Sequence, residues 1–445
     1  MTHTEQQEDR STAISVVRSW VIVSILILAA VLSFVDRQIL SLLVSPIKAD
    51  LGLNDIQIGL LQGFAFAMFY SIAAVPLGWL ADRSSRKWIV SIGVAAWSLM
   101  TAACGLAQNF TQLFLARMGV GVGEATLSAS GHSMIADLFD KDRLPLAMSL
   151  YGIGVSLGAG FAYIAGGMIV DMMAAAPAIH LAGQTLSAWQ SVFIIVGIPG
   201  LLVSVLIATI VREPKRRNVL EAKHGKVTLH GFASQHKLLI TQFILGIGFM
   251  TASGYANLAW LPSFFERTFG WSSTHAGMTI GLLLLFASLP GGVLSGYLAS
   301  RWSRKGVVDV SMRFMGWITI AMAPILAIAF LLPDATWVVV AMILPFAFGT
   351  AYVGLGPAAA QAITPGQLRG RVAAFQLLLT SLIGMVAGPL IVGVLTEMVF
   401  KDGSKISYAL ALTGPVLSLI GGVLLLWALP AYRAALADTA KASDR

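Results

Sequence analysis

The chain has 445 residues, of which 57% are hydrophobic and 11% charged, against roughly 25% charged in an ordinary soluble domain. That composition excludes a water-soluble globule, and it means the formal net charge of +8 reports loop placement, not nucleic-acid binding. The single cysteine, Cys104, excludes an internal disulfide, and without a C-x-x-C or a His/Cys cluster no structural metal or other cofactor is expected.

Residues 1–18 form a polar tail of mixed charge. The first apolar stretch, near 19–45, is long, contains Asp36 and Arg37 and carries no convincing cleavage site, so it reads as a retained span and not a signal peptide. The second span, near 56–80, closes on Gly78-Trp-Leu-Ala-Asp82-Arg83-Ser-Ser-Arg86-Lys87. The third and fourth run near 88–107 and 111–137, the fourth carrying Arg117, Glu124 and His132. The fifth, near 145–171, is rich in glycine, and the sixth runs near 189–211. A basic linker over 212–237, with Pro214 and alternating charge, is expected to lie along the membrane surface, its cations favouring anionic headgroups.

The seventh span, near 238–265, carries Tyr255, Asn257 and Trp260. The eighth, near 273–300, closes on Gly296-Tyr-Leu-Ala-Ser300-Arg301-Trp-Ser-Arg304-Lys305. The ninth and tenth lie near 309–331 and 335–361, the tenth with Phe346, Phe348, Tyr352 and Gln361. Spans near 371–399 and 406–430 and a tail over 431–445 complete the chain. Each block can cross about 30 Å of hydrocarbon as a helix whose backbone groups are satisfied internally.

The loops after even-numbered spans hold Arg83, Arg86, Lys87, Lys141, Arg143, the linker's basic run, Arg301, Arg304, Lys305, Arg313, Arg369 and Arg371. The other loops hold only Lys48, Arg267, Lys401 and Lys405. The asymmetry predicts a bacterial-type inner (plasma) membrane protein with both termini in the cytoplasm. Trp20, Trp88, Trp189, Trp271, Trp302, Trp337 and Trp427 fall near span ends, as interfacial anchors would. The Gly78 and Gly296 segments share Gly, Leu, Ala, Arg, Arg and Lys at identical spacing half a chain apart. The expected fold is therefore all-α, with twelve transmembrane helices in two six-helix bundles, 19–211 and 238–430, joined by the linker.

The repeated Gly-x-Leu-Ala-Asp-Arg-x-x-Arg-Lys resembles the signature of the major facilitator superfamily. The resemblance implies two bundles related by a pseudo-two-fold axis along the membrane normal, with a site between them. It also implies that Asp82 faces the N-terminus of the eleventh helix and latches the cytoplasmic side, Arg83, Arg86 and Lys87 holding Asp82 or anionic lipid. Gly78 would let the second helix approach a neighbour closely. The second copy has Ser300 in place of Asp82, so the strong latch is expected in the first half only. Phe34-Val-Asp36-Arg37-Gln-Ile-Leu, Arg117-Met-Gly-Val-Gly-Val-Gly-Glu124-Ala and Ala259-Trp260-Leu-Pro262-Ser-Phe-Phe resemble the spinster family. Animal members are associated with sphingoid and lysophospholipid export, and bacterial members look like proton-coupled transporters.

Ionisable groups inside a span are costly and usually functional. Arg117 and Glu124, seven residues apart, share a helix face about 10 Å apart along the axis, so each needs a partner on another helix. The first helix supplies Asp36 and Arg37, and a network of these four residues is expected to carry coupling or substrate binding. A carboxylate in a partly dry cavity is hard to ionise, whereas a nearby arginine favours its charge; alternation between the two would take up and release a proton. Arginine keeps its proton. Glu124 is the first choice of carrier and Asp36 the second, with His132 a possible relay. The alternative reading is a permanent ion-pair network that only fixes packing.

The spacing of Gly59/Gly63, Gly277/Gly281 and Gly384/Gly388 predicts close helix contacts. Tyr255, Asn257, Trp260, Phe346, Phe348, Tyr352 and Gln361 are candidates for a cavity wall with almost no full charge. A cavity charged on one wall and aromatic-apolar on the other suits an amphiphile. The sequence thus predicts a monomeric carrier, coupled to H+, for an organic, amphiphilic substrate of lysolipid or sphingoid kind. Alternatives are a carrier of small organic anions clamped by Arg37 or Arg117, and an uncoupled lipid scramblase or receptor. No enzyme motif is present: there is no P-loop, HExxH or GxSxG.

Overall fold

The computed structural model describes residues 16–140, 142–177, 179–181, 184–214, 231, 234–365 and 368–443. Most of the N-terminal tail and of the basic linker therefore lies outside the described residues. Eleven helices are long and apolar enough to cross a membrane. The helix Phe110–Leu138, 29 residues long and holding Arg117 and Glu124, completes twelve among the described residues.

In chain order these are α1 Val16–Leu42, α2 Asp55–Arg83, α3 Arg86–Cys104, α4 Phe110–Leu138, α5 Leu144–Ala175 and α6 Ala188–Ile210. They are followed by α7 Lys237–Phe269, α8 Ser273–Arg304, α9 Val310–Ala329, α10 Ala335–Ile363, α11 Arg371–Val399 and α12 Ile406–Trp427. Helices α1 with α5, α2 with α4 and α3 with α4 and α6 make one bundle; α7 with α11 and α12, α8 with α10 and α9 with α12 make the other. The bundles meet through α5 on α8 and α2 on α11. The expected all-α architecture of two six-helix bundles is thus observed.

Several ends differ from expectation for local reasons. The first span stops at Leu42, and Val44–Leu51 forms a separate two-turn helix. Pro46 lacks an N–H and its ring conflicts with the carbonyl four residues back, at Leu42. Gly52, at φ 63°, ends that short helix in the left-handed region. The tenth span breaks at Thr350, between Gly349 and Ala351, and α8 carries a π-helical turn over Leu284–Ser288. The two irregularities face each other, the Ser288 hydroxyl donating to the Thr350 hydroxyl at 3.4 Å. The tail beyond α12 is itself a helix, α13 Leu429–Ser443, and Tyr432 donates to the Ala359 carbonyl of α10 at 3.0 Å.

The start of α1, the end of α4, the end of α10 and α13 lie on one face of the molecule, the terminal face, and the opposite one is the distal face. The bundles pack tightly toward the distal face. A Cβ on Gly281 would sit 2.6 Å from the Gly160 carbonyl oxygen, and one on Gly59 2.8 Å from that of Pro389, so these close approaches require glycine. Toward the terminal face Gly78 has nothing within 4 Å, so the close helix approach expected there is not made in this structure. Trp88, Trp302, Trp337 and Trp427 are exposed at span ends as anchors should be. Trp189 is buried, its indole donating to Asp50 at 2.7 Å; it is a packing residue, not an anchor.

Candidate functional site

The four intramembrane charges come together between α1 and α4. Both Arg37 Nε, at 2.7 Å, and its terminal nitrogen, at 2.6 Å, reach Oε2 of Glu124. The Ser33 hydroxyl donates to the same oxygen at 2.7 Å. Ser33 lies one turn before Arg37, so helix spacing alone aligns these two donors. Oε1 of Glu124 is buried with no hydrogen-bond partner. A buried carboxyl oxygen without a hydrogen-bond partner is a costly arrangement.

Arg117 is buried too and donates to the backbone carbonyl of Asp36 at 3.1 Å, not to a carboxylate. Oδ1 of Asp36 and Nε of Arg117 have no hydrogen-bond partner. The network expected from sequence is therefore one tight ion pair, Arg37–Glu124, beside a looser couple. Phe66 lies under both guanidinium groups, 4.7 Å from Arg37 and 5.7 Å from Arg117, and Tyr70 is 5.4 Å from Arg37. The Tyr70 and Ser128 hydroxyls are 2.5 Å apart. Ser128 sits one turn from Glu124 and one turn from His132 on the same side of α4. His132 is exposed, its ring edge-on to Tyr151 at 5.2 Å. Ser33, Tyr70 and Ser128 were missed in the sequence because hydroxyls inside spans are common and carry no charge to flag them.

Phe34 and Gln38, which flank Arg37 on α1, open onto a cavity of about 180 Å³ walled mainly by the second bundle. Tyr255, Asn257, Phe346, Phe348 and Tyr352 line it. Leu284, Ser288, Gly349 and Thr350 line it as well, so the π-turn of α8 and the break in α10 shape its wall. No lining residue among those described is charged. Two candidates lie elsewhere. Trp260 is in the distal core, donating to the Pro389 carbonyl at 2.9 Å beneath the Arg267 guanidinium. Gln361 is exposed in the last turn of α10. Both fail for the same reason: residue type does not fix depth or rotation of a helix in lipid.

The loop motif behaves differently from expectation. Asp82 is exposed and not bonded to the start of α11. Arg83 stacks on Trp79 at 4.0 Å, and Lys87 lies 5.2 Å from Trp88. Arg86 is buried and does not hold Asp82. It bonds Asp137 of α4 at 2.5 Å, Glu213 beyond α6 at 2.9 Å, the Ser133 hydroxyl at 2.9 Å and the Pro214 carbonyl at 2.9 Å. Burial alone would push the Glu213 carboxyl up, but the Lys87 amide, Arg86 and the Ser85 hydroxyl, all donating to it, hold it below the ordinary carboxylate range. Arg301 and Arg304 of the second copy are exposed. The buried acid of that half is Asp309, bonded by Arg313 at 2.9 Å and by Arg433 of α13 at 2.6 Å. These donors outweigh burial and lower the Asp309 carboxyl.

On the distal face an ionic cluster joins the bundles. Asp55, fully buried, is held by both terminal nitrogens of Arg267 at 2.9 Å and by Lys48. Ser45 donates to Glu266 at 2.8 Å. The sequence signal for this cluster was the scarcity of charge in the distal loops: the few ionic groups there find one another.

Residues 26–389 match the family model described as Major Facilitator Superfamily. The chain is 27% identical over 430 residues to a Mycolicibacterium smegmatis protein named an MFS-type efflux pump, covering 95% of this chain and 96% of that one. It is 26% identical over 317 residues to the probable L-galactonate transporter of Escherichia coli, covering 68% of this chain and 66% of that one. The fold matches the crystal structure of a bacterial homolog to the human lysosomal transporter spinster, in an inward-facing and unoccupied conformation. The TM-score is 0.78 at 25% identity, covering 95% of this chain and 98% of that one. The spinster resemblance of the sequence therefore extends through the whole fold. The chain is a multi-pass membrane transporter of the secondary type and belongs to the major facilitator superfamily.

Proposed function

We propose that the protein is a proton-coupled carrier that moves an organic amphiphile by alternating access. The observation that carries this reading is a buried Arg37–Glu124 pair beside an uncharged, largely apolar cavity. A buried ion pair is poor evidence of stabilisation, so its retention at membrane depth favours a working role. Protonation at the orphaned oxygen of Glu124 would release Arg37, which cannot shed its own charge and would turn to an anionic headgroup. The apolar tail would occupy the cavity between Phe34 and the α10 break. Tyr70, Ser128 and His132 offer a route for the proton toward the terminal face. The positive loops support a cytoplasmic terminal face, a periplasmic distal face and an inner-membrane location. The exposed Asp82 fits a cytoplasmic latch that is undone in this conformation. We take a single chain to suffice, since the site is complete within it.

The test is transport in proteoliposomes, with a lysophospholipid, a sphingoid amine and galactonate as alternative probes. Wild-type protein should accumulate one of the amphiphiles under an imposed pH gradient. Glu124→Gln should abolish that accumulation while leaving downhill exchange. Accumulation unaltered by Glu124→Gln overturns the assigned carrier, and movement of amphiphile that ignores the gradient favours an uncoupled scramblase. The organic-acid relative and the exposed edge of Arg37 support a second reading, a carrier of small organic anions. Accumulation of galactonate alone would select it.

A further inference from the structure

A second internal repeat lies at the distal face, and its two copies interlock crosswise. At the start of α2, Asn54, Gly59 and Gly63 stand at the same spacing as Ser272, Gly277 and Gly281 at the start of α8. In α11 and α5 a glycine is followed four residues later by an acid: Gly393 with Glu397, and Gly167 with Asp171. Gly393 packs against the backbone of Asp55, and Gly167 against that of Ser273. These contacts bring each acid over the first turn of the helix in the opposite bundle.

The hydrogen bonds follow the same pattern. Oε1 of Glu397 accepts the Asp55 N–H at 2.7 Å, and Oδ2 of Asp171 accepts the Thr274 N–H at 2.8 Å. Each helix also has its own cap further along the same turn: Asn54 takes the Gln57 N–H at 2.8 Å, two positions on, and Ser272 takes that of His275 at 3.2 Å, one position on. The first N–H groups of a helix have no partner within it and carry the positive end of its dipole. Each helix thus caps one of them itself and leaves another to a carboxylate from the opposite half.

We propose that Asp171 and Glu397 are the paired closing residues of the periplasmic side, and that removing either shifts the carrier toward its outward-open form. This rests on the alternating-access reading above. The bonds cross the interface, so they exist only while the periplasmic side is shut and stabilise that state selectively. They are positioning residues, since neither lies at the cavity or the Arg37–Glu124 pair.

The experiment measures spin-label distances on a Cys104→Ala background. Thr111→Cys with Thr336→Cys spans the periplasmic side, and Asp142→Cys with Val308→Cys spans the cytoplasmic side. Asp171→Ala and Glu397→Ala should each raise the ratio of outward-open to inward-open populations by about two- to thirty-fold, the range of a lost cap. The cytoplasmic pair should close in proportion. Asp171→Asn and Glu397→Gln keep an acceptor oxygen and should recover part of the shift. Wild-type protein that shows both populations, with variants unchanged or with only the periplasmic pair loosened, overturns this inference and leaves alternating access standing. If no sample, with or without a pH gradient, ever shows the long periplasmic distance, the alternating-access reading falls and takes this inference with it.

Discussion

The two copies of the loop motif share seven residues in register, yet they do different work. Arg86 is buried and joins α3, α4 and the segment after α6 through Asp137 and Glu213. Arg304, its counterpart, is exposed at the end of α8. The second half instead gathers its buried acid, Asp309, to Arg313 and to Arg433 of α13. The lesson is that a repeated cation takes its role from the acids within reach. Asp137 and Glu213 make Arg86 structural, and without such partners Arg304 remains a topology signal.

The sharpest way to break this contrast is to remove the two arginines in turn. Arg86→Met leaves two carboxylates without their cation and should cost about 3–5 kcal/mol, read as a large fall in the thermal midpoint. Arg304→Met should change stability by less than about 0.5 kcal/mol. Equal losses would refute the contrast. Next comes Asp309→Asn. Both of its arginines are partly solvated, so the loss should be smaller, about 1 kcal/mol, and should appear first as faster proteolysis or amide exchange in α13. Unaltered protection of α13 would mean that its apolar packing and the Tyr432 and Thr439 hydrogen bonds dock it without Asp309.

The smallest effect is the pH dependence of the Arg86 cluster. The Glu213 carboxyl is held below its ordinary value in the folded protein. Its contribution is therefore fully present above the ordinary carboxylate range and is lost as pH falls through the lowered folded value. Stability of the wild type should decline on the acid side, and Glu213→Gln should flatten part of that decline. A Glu213→Gln profile parallel to wild type would place the acid sensitivity elsewhere.

The candidate site was legible to a different depth in each half. Asp36, Arg37, Arg117 and Glu124 stood out because charge inside an apolar span has few explanations. Their seven-residue spacing correctly denied Arg117 and Glu124 a direct bond. The choice of partner was not legible: Arg37 took Glu124, while Arg117 settled on the Asp36 carbonyl. In the second half five aromatic or amide positions line the cavity, but Trp260 and Gln361 do not. A helix that is apolar all round gives no periodic signal of which side faces lipid.

By itself the sequence determined twelve spans, the half-chain repeat and the presence of four charged residues inside the spans. These follow from hydrocarbon's intolerance of open backbone and unpaired charge, a constraint that acts on each segment separately. Only the tertiary structure decided the Arg37–Glu124 pairing, the burial of Arg86 and the crossed caps of Asp171 and Glu397. Those depend on how helices far apart in the chain are rotated and set against one another, and local composition does not encode that.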